Sequence, residues 1–290
     1  MSKKKNLNNV VEDIYGIISA LPNGKEIDIP EEMLETFGKD MSEALQHWAT
    51  PQDQEGKPGL RMSNIGRPSR RLWFDINSTE NREQENPASL YIKFLYGHLL
   101  EVLVLFFVKL AGYQIDSQQK EVSVSGIKGH MDCKINGEVV DVKTASGYAF
   151  KKFKEGTLAE DDAFGYLAQL AGYEEAEQTN KGGFLVLNKE TGELVFFRPE
   201  DLDKPNIKDR IKTLKRDIKR KTPPIFCYTP VPEGKSGNLK LPRECTWCPH
   251  KYECHKESNN GNGLRTFKYA KGNVYLTHVE KLPNVEEIMV

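Results

Sequence analysis

The sequence predicts an α/β fold, and three observations carry that reading. Asn136-Gly137 sits between two short apolar segments and is the strongest turn signal in the chain. It suits a two-residue type I′ hairpin, which needs positive φ at both central positions. A second strand pair is written at 182–188 (GGFLVLN) and 193–199 (ELVFFRP). Helical segments at about 88–112 and 161–177 alternate with these strands.

In chain order, residues 1–50 read as short helices broken at Pro22-Asn23-Gly24 and Pro30. Residues 50–59 form a polar linker. Residues 60–76 mix four arginines with Trp73 and Phe74, and 77–89 are a second polar loop. The helix at 88–112 is apolar nearly all round and is expected to be buried. Strands follow near 113–124, 127–135 and 138–144, then the helix 161–177 and the strand pair. Residues 200–221 are a basic helix. A loop-rich, cysteine-bearing segment runs from Thr222-Pro223-Pro224 to about 260. The tail to 290 is polar with short strand-like pieces. The expected organisation is an N-terminal helical segment and linker (1–59), a core (60–222), a cysteine segment (223–260) and a tail (261–290).

Composition is ordinary for a globular chain of 290 residues: 38% hydrophobic, 29% charged, net charge −1. Global charge therefore announces no nucleic-acid partner, and local patches must make that case. The basic start lacks the apolar stretch of a signal peptide. The apolar run 99–110 is too short to span a bilayer and holds Glu101 and Lys109. A cytoplasmic protein without membrane partners is expected. Five cysteines then favour metal or core roles over disulfides.

The hairpin raises the functional question. A two-residue turn makes Ile135 face Glu138, Lys134 face Val139, Cys133 face Val140 and Asp132 face Asp141. Alternation puts His130, Asp132, Asp141 and Lys143 on one face. Met131, Cys133, Val140 and Val142 take the other, core-like face. Directly opposed acids destabilise a sheet unless a cation lies between them. All-oxygen ligation suits Mg²⁺ or Mn²⁺ rather than zinc. Lys143 points to the same place and could stabilise charge on a phosphate. Charged hairpin faces are more often simply solvated, and Asp217-Ile218-Lys219 repeats the Asp-x-Lys triplet on an ordinary surface stretch.

Glu101 is a carboxylate inside the most apolar helix, where it needs a cation or a proton. Gln169 and Tyr173 lie four apart on one helix face, with Tyr166 one turn earlier. Four short motifs are thus present in order: Gly97-x3-Glu101, Gly129-x2-Asp132, Asp141-x-Lys143 and Gln169-x3-Tyr173. Together, over about residues 60–255, they resemble the RecB-like branch of the PD-(D/E)xK nucleases. The resemblance implies a restriction-endonuclease-like core, with a mixed central sheet flanked by helices. It implies that Glu101, Asp132, Asp141 and the Val142 carbonyl hold Mg²⁺ or Mn²⁺. Lys143 would assist the attacking water, and Gln169 and Tyr173 would position the strand. Asp141 stands where glutamate is commoner.

Cys245-x2-Cys248-x5-Cys254 is a strong metal signal, and Cys227 lies 18 residues earlier. Four thiolates suit zinc or an iron–sulfur cluster. The resemblance favours a [4Fe-4S] cluster, because RecB-like nucleases carry this C-terminal spacing. Their fourth cysteine usually lies upstream, where this chain has Pro68 or Ser69. Cys227 is the replacement candidate; His250 or His255 would instead favour zinc. Cys133 is assigned to the hairpin core.

For DNA, the candidates are Arg67, Arg70 and Arg71 beside Trp73 and Phe74, with Lys151 and Lys152 after the hairpin. Arg61 and the nine Lys or Arg of 203–221 could add to them, although charge runs are usually solvated faces. The expected activity is a metal-dependent exonuclease acting on DNA ends. A phage-type recombination or degradation enzyme fits the small format, in a bacterial cytoplasm beside an annealing protein or helicase. Alternatives are a structure-specific endonuclease, a CRISPR-adaptation nuclease, or an inactive cluster-bearing DNA-binding protein.

Overall fold

The computed structural model describes residues 5–50, 59–78 and 88–289. The polar linker 50–59 and the loop 77–89 lie almost wholly outside the described residues. The chain divides into two compact units. One comprises the described residues up to 66 and those from 88 to 213; the other comprises 67–78 and 214–289.

The first unit is a mixed sheet flanked by helices. Its helices are α1 (Val10–Ile18), α2 (Glu31–Ala49), α4 (Ala88–Leu110), α5 (Gly147–Lys154) and α6 (Tyr166–Ala176), with α3 (Ser69–Asn77) lying in the second unit. α2 starts at Pro30, and Gly24 takes the left-handed conformation that ends the preceding turn. The sheet strands are β1 (Ile115–Asp116), β4 (Cys133–Ile135), β5 (Glu138–Ala145), β6 (Gly183–Asn188) and β7 (Leu194–Phe197), in the order β1-β4-β5-β6-β7. β5 runs parallel to β6, and the other neighbours are antiparallel. The separate ribbon β2 (Lys120–Val124) and β3 (Ile127–Met131) completes the strands.

Alternation along β5 and β6 fills both faces of the sheet. Val140, Val142 and Leu185 pack with Val104, Leu105 and Val108 of α4 and with Val10 and Ile14 of α1. Phe184, on the other parity, meets Phe153 of α5 with ring centroids 5.4 Å apart. α4 is longer than the apolar run that marked it: at 23 residues it is long and apolar enough to cross a membrane by length and composition. Its C-terminal half is the sheet's core helix. Its N-terminal half exposes Tyr91, Ile92, Phe94 and Tyr96, so the expectation of an all-round buried helix holds only in part.

The hairpin forms in the register its turn dictates, with Ile135 on Glu138, Lys134 on Val139 and Cys133 on Val140. Asn136 has φ 52° and Gly137 φ 82°. Asn136 is also buried and bonded: Gln114 N donates to its Oδ1 at 3.0 Å, and its Nδ2 donates to Lys5 O at 3.0 Å. Asn136→Ala should cost about 1–2 kcal/mol, combining a strained φ with the loss of two part-buried hydrogen bonds. Urea unfolding measures it, and a loss under about 0.5 kcal/mol would show that the turn does not hold the register.

The second unit holds α3, the end of helix α7 (Ile207–Asp217), and three four-residue helices, α8 (Arg243–Thr246), α9 (Lys251–Cys254) and α10 (Ser258–Gly261). The tail does not stand alone. Strands β8 (Val231–Pro232), β9 (Leu239–Lys240), β10 (Arg265–Tyr269), β11 (Gly272–His278) and β12 (Glu287–Ile288) form one antiparallel sheet, ordered β12-β10-β11-β9-β8. Phe267 and Leu276 are its buried centre. The basic helix is shorter than 200–221. It buries Ile207, Ile211 and Leu214 at helical spacing, and its cations occupy the remaining positions.

Candidate active site and cysteine pocket

β5 is flanked by strands on both edges, and Val139, Val140, Asp141, Val142 and Ala145 along it are buried. Asp141 is 0% exposed. Lys143 Nζ lies 2.7 Å from Asp141 Oδ2. The contact is a close ion pair, and no group other than Lys143 partners either Asp141 oxygen.

Asp132 does not face Asp141 as a ladder partner. The strand expected over 127–135 breaks at Asp132: β3 turns away to pair with β2, and β4 begins at Cys133. Asp132 Oδ2 instead accepts from Val142 N at 2.8 Å, so the side chain takes a ladder position and the two acids avoid direct apposition. His130, expected beside the acids, pairs with Glu121 in the ribbon and is exposed.

Glu101 reaches the same cluster from α4. Burial raises its pKa; Lys143 pulls it down and Asp141 pushes it up. Burial and then Asp141 raise Asp132 well above its ordinary value. Gln119, which no motif marked, links the two acids: its Nε2 donates to Glu101 Oε1 at 3.2 Å and its backbone N donates to Asp132 O at 3.0 Å. It does so with φ 49°, a sparsely populated conformation for a non-glycine residue. Its position in an irregular turn carries no periodic signal.

Gln169 and Tyr173 come together as expected, but they face the protein. Gln169 Nε2 donates to the Tyr173 hydroxyl at 2.9 Å, which donates to His130 O at 2.7 Å. The pair fixes the chain two residues before Asp132. The motif glycines divide. A side chain at Gly129 would strike Met62, whereas Gly97 has open space around it.

Glu101, Asp132 and Asp141 against Lys143 leave a formal excess of two negative charges when all are ionised. Among the described residues, no three His, Cys, Asp or Glu side chains stand in a metal-ligating arrangement, the cysteines included; the acids instead hold local partners.

In the second unit, Cys227, Cys245, Cys248 and Cys254 line a single pocket with Arg70, Arg71, Phe74, Phe226, His250 and His255. Burial, followed by Cys227, Cys248 and Cys254, pushes the Cys245 thiol up to about 12. Arg70 Nε donates to Cys254 Sγ at 3.0 Å and its Nη1 donates to Pro224 O at 2.5 Å. Its guanidinium lies 4.1 Å from the Phe226 ring centroid. His250 pairs with Asp75 at 2.7 Å. His255 stacks on Phe226, and burial and then Arg70 hold it neutral, with a pKa of about 4. Cys133 lies in the first unit's core.

The arginines expected on DNA belong to this pocket region. Arg70 is spent on Cys254 and Pro224, Arg71 lines the pocket with a buried Nε, and Arg67 pairs with Asp75 at 3.8 Å. On α5, exposed Lys151 pairs loosely with Glu155 at 3.6 Å, and Lys152 pairs with Asp161.

No family model matches the chain, and no curated protein matches it. The solved structures similar to it include the crystal structure of SSO0001, at a TM-score of 0.35 and 18% identity, over 63% of this chain and 82% of that one. A likeness of that size carries no argument about function.

Proposed function

We propose that this chain is a divalent-metal-dependent deoxyribonuclease, built on a PD-(D/E)xK core, that hydrolyses phosphodiester bonds from DNA ends. The observation that carries the reading is the buried cluster of three acids around one cation, in which Asp141 has no partner but Lys143. Uncompensated buried carboxylates are costly, and one divalent ion balances the excess. The donors are all oxygens, which favours Mg²⁺ or Mn²⁺. Asp141, Asp132, Glu101 and the Val142 carbonyl are the residues to hold it, with the acids exchanging their present partners for the ion. Such an ion supplies Lewis acidity toward a phosphate oxygen.

Lys143 serves this chemistry as a cation rather than as a base. Burial pulls its pKa down, but Asp141 and Asp132 outweigh that and hold it above the ordinary value. An ammonium so placed donates to the attacking water or to a phosphate oxygen as charge develops. Gln169 and Tyr173 are positioning residues for the Asp132 turn rather than contacts to the strand. The cysteine pocket fits a [4Fe-4S] cluster, or zinc, on the strength of four thiols around one space, and its role is structural.

The test is an end-labelled linear duplex and a closed circle, each with Mg²⁺, Mn²⁺ or EDTA. Metal-dependent loss of the linear DNA alone is expected, falling about 10²–10³-fold in Lys143→Ala. Cutting of the circle would make it an endonuclease. No cleavage of single- or double-stranded DNA with any metal would overturn the reading.

A further inference from the structure

Phe164 is 65% exposed, yet the segment that carries it is held firmly. Asp162 accepts backbone N–H bonds from Gly165, Tyr166 and Leu167, each at 2.9 Å. Gly165, at φ 79°, packs backbone to backbone against Gly66, where any side chain would collide. A large apolar ring is therefore presented to solvent from a pinned position. It also leads somewhere. Phe164 stacks on Tyr166 with centroids 5.5 Å apart and planes 20° from parallel. Lys143 Nζ lies 5.3 Å from the Tyr166 ring centroid. Two stacked rings thus end at the ammonium beside Asp141. Tyr148 of α5 is a second exposed ring nearby: its hydroxyl reaches Asp161 at 3.4 Å, and Lys152 lies 5.0 Å from its ring centroid. Rigid aromatic faces beside cationic side chains are how proteins hold unpaired nucleotides.

We infer that Phe164, stacked on Tyr166, receives the face of an unpaired DNA base next to the phosphate being cleaved, so that the site takes a single strand. A base inside a duplex has both faces covered by its neighbours and cannot offer one to Phe164, whereas a single strand, or the frayed end of a duplex, can. The inference rests on the nuclease reading and adds a specificity-determining residue to it.

The experiment compares wild type, Phe164→Ala, Phe164→Leu and Phe164→Trp. Each binds labelled dT12 and a matching strand with abasic sites, in EDTA, and cleavage of dT12 is followed with Mn²⁺. Phe164→Ala should bind dT12 about 5- to 150-fold more weakly and raise KM for its cleavage, with binding of the abasic strand unchanged. Phe164→Leu, apolar but without a ring face, should follow alanine, and Phe164→Trp should match wild type. Equal losses on both strands, full rescue by leucine, or unchanged dT12 binding in Phe164→Ala would overturn the inference. A wild type that cuts DNA while Phe164→Ala behaves identically defeats the stacking role alone. A wild type that neither binds nor cuts DNA defeats the nuclease reading beneath it.

Discussion

Asp141→Asn should lower metal-dependent cleavage by about a thousandfold or more while leaving the metal-free protein at least as stable as wild type at pH 8. The first part follows from the loss of a charged ligand at the centre of the site, where a metal's effect is worth several kcal/mol. The second follows from the charge count. With all three acids ionised the cluster sets three carboxylates against Lys143, and removing one lowers the formal excess from two to one. The remaining acids gain from this, since Asp141 raises both Asp132 and Glu101. The pH dependence has a definite sign. The folded pKa values of Asp132 and Glu101 lie above the unfolded ones. The folded protein therefore keeps protons that the unfolded chain has released. Metal-free stability should fall as pH rises from about 4 through the elevated folded values. Protons and Mn²⁺ compete for the same oxygens, so the rise in Tm on adding Mn²⁺ should be larger at pH 8 than at pH 5.5. It should vanish in Asp141→Asn. Thermal unfolding at the two pH values, with and without Mn²⁺, measures all of this. A Mn²⁺ shift of equal size at both pH values, or one that survives in Asp141→Asn, would remove Asp141 from the site.

How much of this could be read from the chain differs from element to element. The hairpin register was legible because a two-residue turn leaves only one pairing, and positive φ at both positions needs residues such as Asn and Gly. The break at Asp132 was not. It depends on a side-chain oxygen replacing a ladder acceptor for Val142 N, and nothing in residue order separates that from a continuous strand. The spacing of Gln169 and Tyr173 showed a shared helix face; their partner, the His130 carbonyl, is a backbone atom 43 residues away from Tyr173 and carries no side-chain signature. Arg70 illustrates the same limit. A guanidinium beside aromatics looks alike in sequence whether it meets a phosphate or, as here, a thiol and a carbonyl. The second sheet escaped notice because three of its five strands are two residues long, too short for an alternation to show. Gln119 is of another kind: a positive φ at glutamine in a turn is a product of the fold around it.

Cys248→Ala should cost the protein its cysteine-bound group and lower Tm by about 10 °C, before any effect on chemistry at the acids. The reasoning starts from how little else organises residues 223–260. α8 and α9 are four residues each, and Cys248 lies in the turn between them. Short helices of this size do not form on their own account. Thiols from α8, α9, the turn between them and the loop at Cys227 surround one pocket, and their mutual proximity helps hold the Cys245 thiol protonated. Thiols crowded against their own preference gain by binding a metal as thiolates, and that binding energy becomes folding energy. The histidines are poorly placed to compensate, since His250 is paired with Asp75 and His255 stacks on Phe226. Metal analysis and visible absorption of the isolated protein distinguish a cluster from zinc, and limited proteolysis across 214–289 reports the loosening directly. Cleavage at a temperature below the lowered Tm should remain metal-dependent and sensitive to Lys143→Ala. If Cys248→Ala is purified free of metal and yet unfolds at the wild-type Tm, the pocket is not a staple. The short helices must then be held by the β8–β12 sheet and by Arg70 alone.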